Sequence, residues 1–157
     1  MPRIKIFTNI KARIEICFDL SRSIDFHQIS TSKTRECAVE GKTHGLIELG
    51  ETVTWEAYHF FLKQRLTSKI TALDFPNHFQ DIQISGAFES FTHDHYFSQK
   101  GEFVEMIDVF DFEAPFGLLG KIVGWLLLKP YLTRFLKTRN ALVKEYAESE
   151  KWKVVLS

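Results

Sequence analysis

Residues 35–114 alternate between apolar and polar side chains, and this period of two restricts the fold more than any other feature of the sequence. Glycine and proline interrupt the alternation repeatedly, which predicts turns between extended segments. The interrupted pattern allows about six strands, of which four are long: Glu51–Phe60, Leu66–Phe75, Phe88–Ser98 and Glu102–Glu113. Long consecutive strands joined by short turns form antiparallel meanders, so the sequence predicts a curved antiparallel sheet with one covered face.

Segments on either side of this region complete the expected fold. An alternating stretch at 4–8 predicts a first strand, and two short helices follow it, one around 14–18 and one over Ser23–Ile29. Near the carboxyl terminus, apolar residues recur at helical spacing. They predict a long helix over about 117–149, with a kink or break where Pro130 lacks an amide donor. A sheet of about seven strands covered by this helix is an α+β fold.

The order of these elements carries a resemblance to a known group of proteins. The segments ARIEICFDLSRSID, LGETVTWEAYHF and MIDVFDFEAPFGLLG occur in that order before the terminal helix. Over residues 2–148 the chain resembles the START-like or helix-grip superfamily (SRPBCC), and it is similar to bacterial polyketide cyclase/dehydrase-like and coenzyme Q-binding-like members of unassigned role. The resemblance implies a single START-like ligand-binding domain over 1–157, in which the sheet encloses a cavity against the terminal helix. The sequence departs from the superfamily at Arg13, where a proline is frequent, and it lacks the glycine-rich loop of the plant allergens.

The alternation also indicates which side chains face such a cavity. The expected ligand-binding residues are Trp55, His59, Ile70, Asp81, Phe91, His93, His95, Met106, Asp108, Phe110, Phe112, Leu126, Phe135 and Arg139. Together they offer large apolar surfaces and a few polar groups, as small-molecule sites do. The alternative is a core filled by its own rings, since the chain has 15 Phe, 4 Tyr and 3 Trp.

Four of these residues are candidate catalytic groups: His59, His93, His95 and Asp108. On one strand face, His93 and His95 would lie about 7 Å apart, and an imidazole oriented by Asp108 can transfer protons in a cyclase or dehydratase reaction. The alternative is that these groups only form hydrogen bonds with one another and with the backbone. Without a CxxC or HExxH motif we predict no metal, and we predict no other cofactor.

These observations support three hypotheses about function. The first is binding or transport of a hydrophobic small molecule, such as a lipid, isoprenoid, quinone or polyketide-like compound. The second is a cyclase, dehydratase or isomerase that uses the His and Asp groups. The third is contact with a membrane or a protein partner through the terminal helix, because residues 114–144 contain six basic side chains and no acidic one. Within that helix, Arg139 either extends to the surface or binds the polar end of a ligand.

Charge and cysteine content exclude other classes. With 20 basic and 20 acidic residues the net charge is zero, which gives no reason to expect a nucleic-acid partner. The apolar stretch 118–128 is too short to span a membrane, and the amino terminus does not resemble a signal peptide. Cys17 and Cys37 do not form a disulfide framework, and we expect Cys17 in the core. We therefore expect a cytoplasmic protein, with His27 and His78 solvated and an oligomeric state that the sequence leaves open.

Overall fold

A computed structural model describes all residues, 1–157. Its strands are β1 (Arg3–Ile10), β2 (Cys37–Gly41), β3 (Thr52–His59), β4 (Leu62–Asp74), β5 (His78–Ser85), β6 (Ser90–Lys100) and β7 (Phe103–Glu113). Its helices are α1 (Ile14–Arg22), α2 (Ile24–Ser30), α3 (Gly117–Val123), α4 (Lys129–Ala147) and α5 (Trp152–Leu156). A short 3₁₀ helix spans Ser32–Thr34, and a wide π-helical turn spans Gly124–Leu128 between α3 and α4. None of the helices combines the length and apolar character needed to span a bilayer.

The seven strands form one antiparallel sheet in the order β1-β7-β6-β5-β4-β3-β2, which confirms the predicted sheet. The pairing register shifts once between β2 and β3 and twice between β4 and β5. Each shift inserts an unpaired residue that bends its strand and increases the local twist. These irregularities fall on the β2–β5 side of the sheet and curve it, which leaves room between the sheet and α4.

The terminal helical segment runs from Gly117 to Ala147, as predicted, but its interruption lies just before Pro130. The amide of Lys129 bonds to the carbonyl of Gly124, five residues earlier, instead of to the carbonyl four residues earlier. Pro130 has no N–H to donate to the carbonyl of Leu126. The wide turn accommodates the missing hydrogen bond, and the helix continues on both sides of it.

The core fills the space between one end of the sheet and helices α1, α2 and α4. Phe18 on α1 is fully buried, and its ring lies 5.3 Å from those of Phe79 and Phe97. Cys17 is fully buried in the same cluster, as expected for a small apolar residue. A second cluster includes Phe91 and Phe110, and members of both clusters border the cavity described below.

Candidate functional site

A cavity of about 440 Å³ lies between the inner face of the sheet and helix α4. Hydrophobic residues are 22 of the 37 that line it. Three of them, Phe60, Phe116 and Leu119, are also largely exposed to solvent, so they mark its opening. The volume falls in the range of small-molecule sites, roughly 300–1,000 Å³.

The structure brings most of the predicted site residues to this cavity. Its walls include Trp55, His59, Ile70, Asp81, Phe91, His93, His95, Phe110, Phe135 and Arg139. The strand residues among them, except Asp81, were assigned from the period of two, which holds along the whole of β7 and along β6 as far as Phe97. In β3 it is interrupted at Thr54, which is also buried. A curved sheet directs all the side chains of one face toward the same interior space.

Four predicted residues do not line the cavity. Met106, Asp108 and Phe112 are on the inward face of β7, as expected, but they are fully buried behind the wall. Met106 belongs to the core cluster around Phe18, because α1 covers that part of the sheet. Leu126 lies on the outer surface and is 69% exposed. The π-helical turn adds a residue to that turn of helix, so a stripe assigned at regular helical spacing does not stay on one face.

The main polar cluster of the cavity contains two adjacent imidazoles whose planes are tilted by 34°. The rings of His93 and His95 have centroids 3.8 Å apart and share the carboxylate of Asp108. His93 Nε2 lies 2.9 Å from Asp108 Oδ1, and His95 Nδ1 lies 3.0 Å from the same oxygen, although with an angle too poor for a hydrogen bond. On its other side, His95 Nε2 lies 3.2 Å from Asp81 Oδ1.

Helix α4 closes this network from behind through two consecutive residues. Asn140 Nδ2 donates to the second oxygen of Asp108 at 2.6 Å, and Arg139 Nη1 lies 3.9 Å from Asp108 Oδ1. Arg139 also donates to the carbonyl oxygen of Ser21 at 2.8 Å. It is only 4% exposed, so it does not extend to the surface. The contact with the end of α1 holds its guanidinium inside, beside the cavity.

The charges of this cluster are balanced. Burial disfavours a charged Asp108, but the two imidazoles outweigh that cost and hold its pKa well below the usual value; His95 likewise lowers the pKa of Asp81. Burial also opposes the charge on His95, yet the adjacent carboxylates raise its pKa. Burial, together with the charge of His95, lowers the pKa of His93. The two carboxylates therefore face Arg139 and His95, the imidazole whose pKa is raised, while the pKa of His93 is lowered.

His59 does not belong to this network, contrary to its grouping with the other candidate catalytic residues. Its Nδ1 lies 2.7 Å from the hydroxyl of Tyr131 on α4, and burial lowers its pKa.

The sequence interpretation also missed a second polar pair on the cavity wall, formed by His27 and Glu36. His27 Nε2 lies 3.1 Å from Glu36 Oε1, and both residues line the cavity. The centre of the His27 ring lies 4.1 Å from that of Trp55, with the two planes tilted by 34°.

Neither His27 nor His78 is freely solvated. His27 is on α2, and its partner follows the 3₁₀ helix, so only the fold of that connection brings the two together. His78 on β5 lies 2.7 Å from Asp94 on β6, on the outer face of the sheet. Such cross-strand contacts depend on the register of pairing, which a single sequence does not specify.

Three of the cavity groups have the residue types of a metal site. Ligand atoms of Asp81, His93 and His95 lie within 4.8 Å of one another. One of these separations, His95 Nε2 to Asp81 Oδ1, is 3.2 Å and is a hydrogen bond. A cation at this position would compete for the carboxylates with Arg139 and with the two imidazoles that already face them.

Comparison by sequence finds no matching family model and no matching curated protein. Comparison by structure finds folds that superpose on nearly the whole chain. TTHA0849 from Thermus thermophilus has a TM-score of 0.70 at 16% identity, over 90% of this chain and 97% of that chain. Ginseng major latex-like protein 151 from Panax ginseng has a TM-score of 0.69 at 16% identity, over 93% and 97%. Ara h 8.0201 has a TM-score of 0.63 at 12% identity, over 90% and 97%.

The chain has the helix-grip fold. At these identities the similarity shows the fold alone, so function has to be inferred from the site. In this helix-grip chain the site combines a mostly apolar wall with the cluster of His93, His95 and Asp81 and with two separate polar pairs, His59–Tyr131 and His27–Glu36. The cluster presents two imidazoles and a carboxylate side by side, which can bind a polar group or exchange protons with it.

Proposed function

We propose that this protein binds a hydrophobic small molecule in the cavity, with the polar end of the molecule against His93, His95 and Asp81. The observation that carries the proposal is the 440 Å³ cavity with its mostly hydrophobic lining. The cluster of His93, His95 and Asp81 occupies one part of the wall and the pairs His59–Tyr131 and His27–Glu36 another, while aromatic and aliphatic side chains make up most of the rest. This distribution favours a ligand with an extended apolar body and one oxygen-bearing end.

The energetic cost of an empty cavity supports the same proposal. At about 24 cal/mol per Å³, a dry cavity of this size would cost on the order of 10 kcal/mol. That is comparable with the whole stability of a domain, about 5–15 kcal/mol. Water could solvate only the polar end well, because ordered water needs two to four polar partners. An apolar ligand fills the rest of the cavity at lower free energy.

The polar end narrows the class of ligand. His93 gives its Nε2 hydrogen to the Asp108 carboxylate, so its Nδ1 can only accept, and the Nε2 hydrogen of His95 is directed to Asp81. A ligand hydroxyl or carboxyl group can donate to His93 or to Asp81, and a ligand carbonyl oxygen can accept the His95 hydrogen in place of Asp81. Isoprenoid alcohols, polyketide-like compounds, lipid carboxyl groups and quinones offer such groups. The resemblance of the sequence to START-like and coenzyme Q-binding-like proteins supports the same group of ligands.

Organic extraction of the purified protein, followed by mass spectrometry, tests this proposal directly. We expect a co-purified hydrophobic molecule, and we expect the cavity to bind the fluorescent probe 8-anilinonaphthalene-1-sulfonate. Ala57 lines the cavity, so Ala57→Phe should fill part of it and weaken probe binding. Ala141 is on the exposed face of α4, so Ala141→Phe is the matched control. The proposal fails if nothing is extracted and the two variants bind the probe equally.

A second function, acid–base catalysis, is favoured by one specific observation. His93 and His95 are adjacent on the cavity wall, and their surroundings move their pKa values in opposite directions. A neutral imidazole beside a charged one supplies a general base and a general acid in the same site. Removal of a proton next to a ligand carbonyl by His93 Nδ1, with protonation of the carbonyl oxygen by the His95 N–H that otherwise faces Asp81, would give the enol. Return of the proton at a different carbon would isomerise the ligand.

Solvent deuterium incorporation tests the catalytic alternative. The extracted ligand is returned to the protein in heavy water, and its mass is measured over time. Catalysis predicts deuterium uptake with the unaltered protein and loss of uptake in His93→Gln, while His59→Gln, outside the network, retains it. Binding of the ligand by both variants shows that the cavity is intact. Absence of uptake in the unaltered protein rules out this proton transfer and leaves the binding function.

A further inference from the structure

The segment that precedes α4 exposes an unusual amount of apolar surface. Seven large apolar residues between positions 116 and 127 are each more than half exposed: Phe116, Leu118, Leu119, Ile122, Trp125, Leu126 and Leu127. Helical spacing predicted that this stripe would face the sheet, but the structure turns it outward. Single exposed apolar residues are normal on protein surfaces, whereas a contiguous patch marks an interaction site.

The turn between β3 and β4 adds to this surface. His59 pairs with Leu62, so the two residues between them, Phe60 and Phe61, form a two-residue hairpin turn. Both have left-handed backbone angles, with φ of 53° and 63°. Such turns favour Asn and Gly, because a bulky side chain is strained at positive φ. Phe61 is completely exposed, so its ring does not offset this strain by packing within the chain.

Both apolar segments border the opening of the cavity. Phe60 from the hairpin, and Phe116 and Leu119 from the other segment, line the cavity and are also exposed. The Phe60 ring lies 4.6 Å from that of Tyr131 on α4, which joins the hairpin to the helical segment. We call the exposed residues of 60–62 and 116–127 the rim. The rim surrounds the entrance with side chains that water solvates poorly.

The charge beside the rim identifies what covers it. Lys121, Lys129, Arg134 and Lys137 form no ion pair within the chain, and residues 114–144 contain no acidic side chain to pair with them. Lys129 Nζ lies 4.4 Å from the centre of the Trp125 ring. Tryptophan with adjacent basic residues is typical of surfaces at the boundary between lipid headgroups and acyl chains. Uncompensated positive charge complements the anionic lipids of such a surface.

We propose that the rim docks on an anionic lipid bilayer, with Phe61, Leu126 and their neighbours inserted among the acyl chains. The cavity then opens into the membrane, and a hydrophobic ligand moves between bilayer and cavity without crossing water. This ligand exchange rests on the function proposed above, whereas docking itself does not. The neutral net charge of the whole chain does not oppose docking, because residues 114–144 carry six basic side chains and no acidic one.

Co-sedimentation with vesicles tests docking in the full chain. The protein should bind vesicles of phosphatidylcholine and phosphatidylserine, and binding should weaken with added salt. Phe61→Ser and Leu126→Ser should each reduce partitioning about tenfold, since each removes a large side chain from the bilayer. Phe7→Ser is the matched control, because Phe7 is similarly exposed but on the outer face of β1. Lys129→Gln should weaken binding to anionic vesicles more than Lys69→Gln, on β4.

The outcomes separate docking from ligand binding. Loss of vesicle binding in Phe61→Ser, with unchanged probe binding in solution, supports docking. The docking proposal is wrong if the unaltered protein does not bind anionic vesicles, or if Phe7→Ser reduces partitioning into vesicles as much as Phe61→Ser does. A dimer in analytical ultracentrifugation that Leu126→Ser dissociates would assign the rim to a second copy of the chain and overturn docking. Vesicle binding by a protein from which nothing is extracted, and whose Ala57→Phe and Ala141→Phe variants bind the probe equally, would refute the proposed function and leave docking intact.

Discussion

Replacement of Asp108 by Asn should destabilise the protein far more than the same change on the opposite face of β7. The Asp108 carboxylate accepts bonds from His93 at 2.9 Å and from Asn140 at 2.6 Å, and it is completely buried. Hydrogen bonds to a charged group contribute about 1.5–3 kcal/mol each, so the two together account for about 3–6 kcal/mol. Removal of one partner from a buried ion pair gives a similar figure, about 3–5 kcal/mol.

Asp111 supplies the matched control because it is on the same strand, three residues further on. It pairs with Arg3 at 2.7 Å, but that arginine side chain is 66% exposed. Surface ion pairs contribute about 0–1 kcal/mol, so Asp111→Asn should lower the free energy of unfolding by no more than that. For a chain of this size, about 2–4 °C of melting temperature corresponds to 1 kcal/mol. Asp108→Asn should therefore lower the melting temperature by about 6–20 °C.

Urea unfolding at neutral pH measures the free energy of unfolding of both variants. NMR titration of His95 gives its pKa as a second readout. His95 faces Asp81, Asp108, His93 and the charged Arg139, and the carboxylates raise its pKa above that of the unfolded chain. Its contribution to stability is thus present below about pH 6.5 and is lost as the pH rises through the folded-state value. Asp108→Asn should lower that pKa. Equal losses of stability in the Asp108 and Asp111 variants would refute this account.

Two other comparisons follow from the packing. A Cβ on Gly120 would overlap the carbonyl oxygen of Pro115, whereas one on Gly124 meets only ordinary contacts. Gly120→Ala should therefore lower the melting temperature measured by calorimetry, and Gly124→Ala should leave it unchanged or raise it; the reverse order would contradict the predicted clash. Burial raises the pKa of the Cys17 thiol to about 12, while Cys37 is exposed. A thiol reagent should modify Cys37 at once and Cys17 only on unfolding, and rapid modification of both would contradict the burial of Cys17.

The fold was accessible from the sequence because its signals are local. A period of two over residues 35–114 specifies strands, and on β6 and β7 the same alternation selects the inward side chains correctly. The terminal helix is similarly evident from its spacing and its length. Curvature, however, depends on the register shifts between β4 and β5, which arise from pairing between strands rather than from either strand alone.

The candidate site was predicted only in part, since several of its contacts join distant segments. His93 and Asp108 were both expected inside, but their bond follows from the pairing of β6 with β7. The burial of Arg139 depends on the carbonyl of Ser21, which is 118 residues away in the sequence. No periodicity distinguishes an arginine that is held inside by such a bond from one that extends to the surface.

The sequence by itself determined the α+β layout, the seven-stranded sheet and an inward face rich in aromatic rings. The tertiary structure decided which inward residues border open space. Helix α1 covers Met106, α4 covers Asp108, and Phe88 and the π-helical turn at Gly124 lie against Phe112. The tertiary structure also turned the apolar residues of 116–127 outward. The local sequence pattern shows whether a side chain is apolar. Whether that side chain is buried depends on which residues of other elements pack against it, and only the folded chain specifies those contacts.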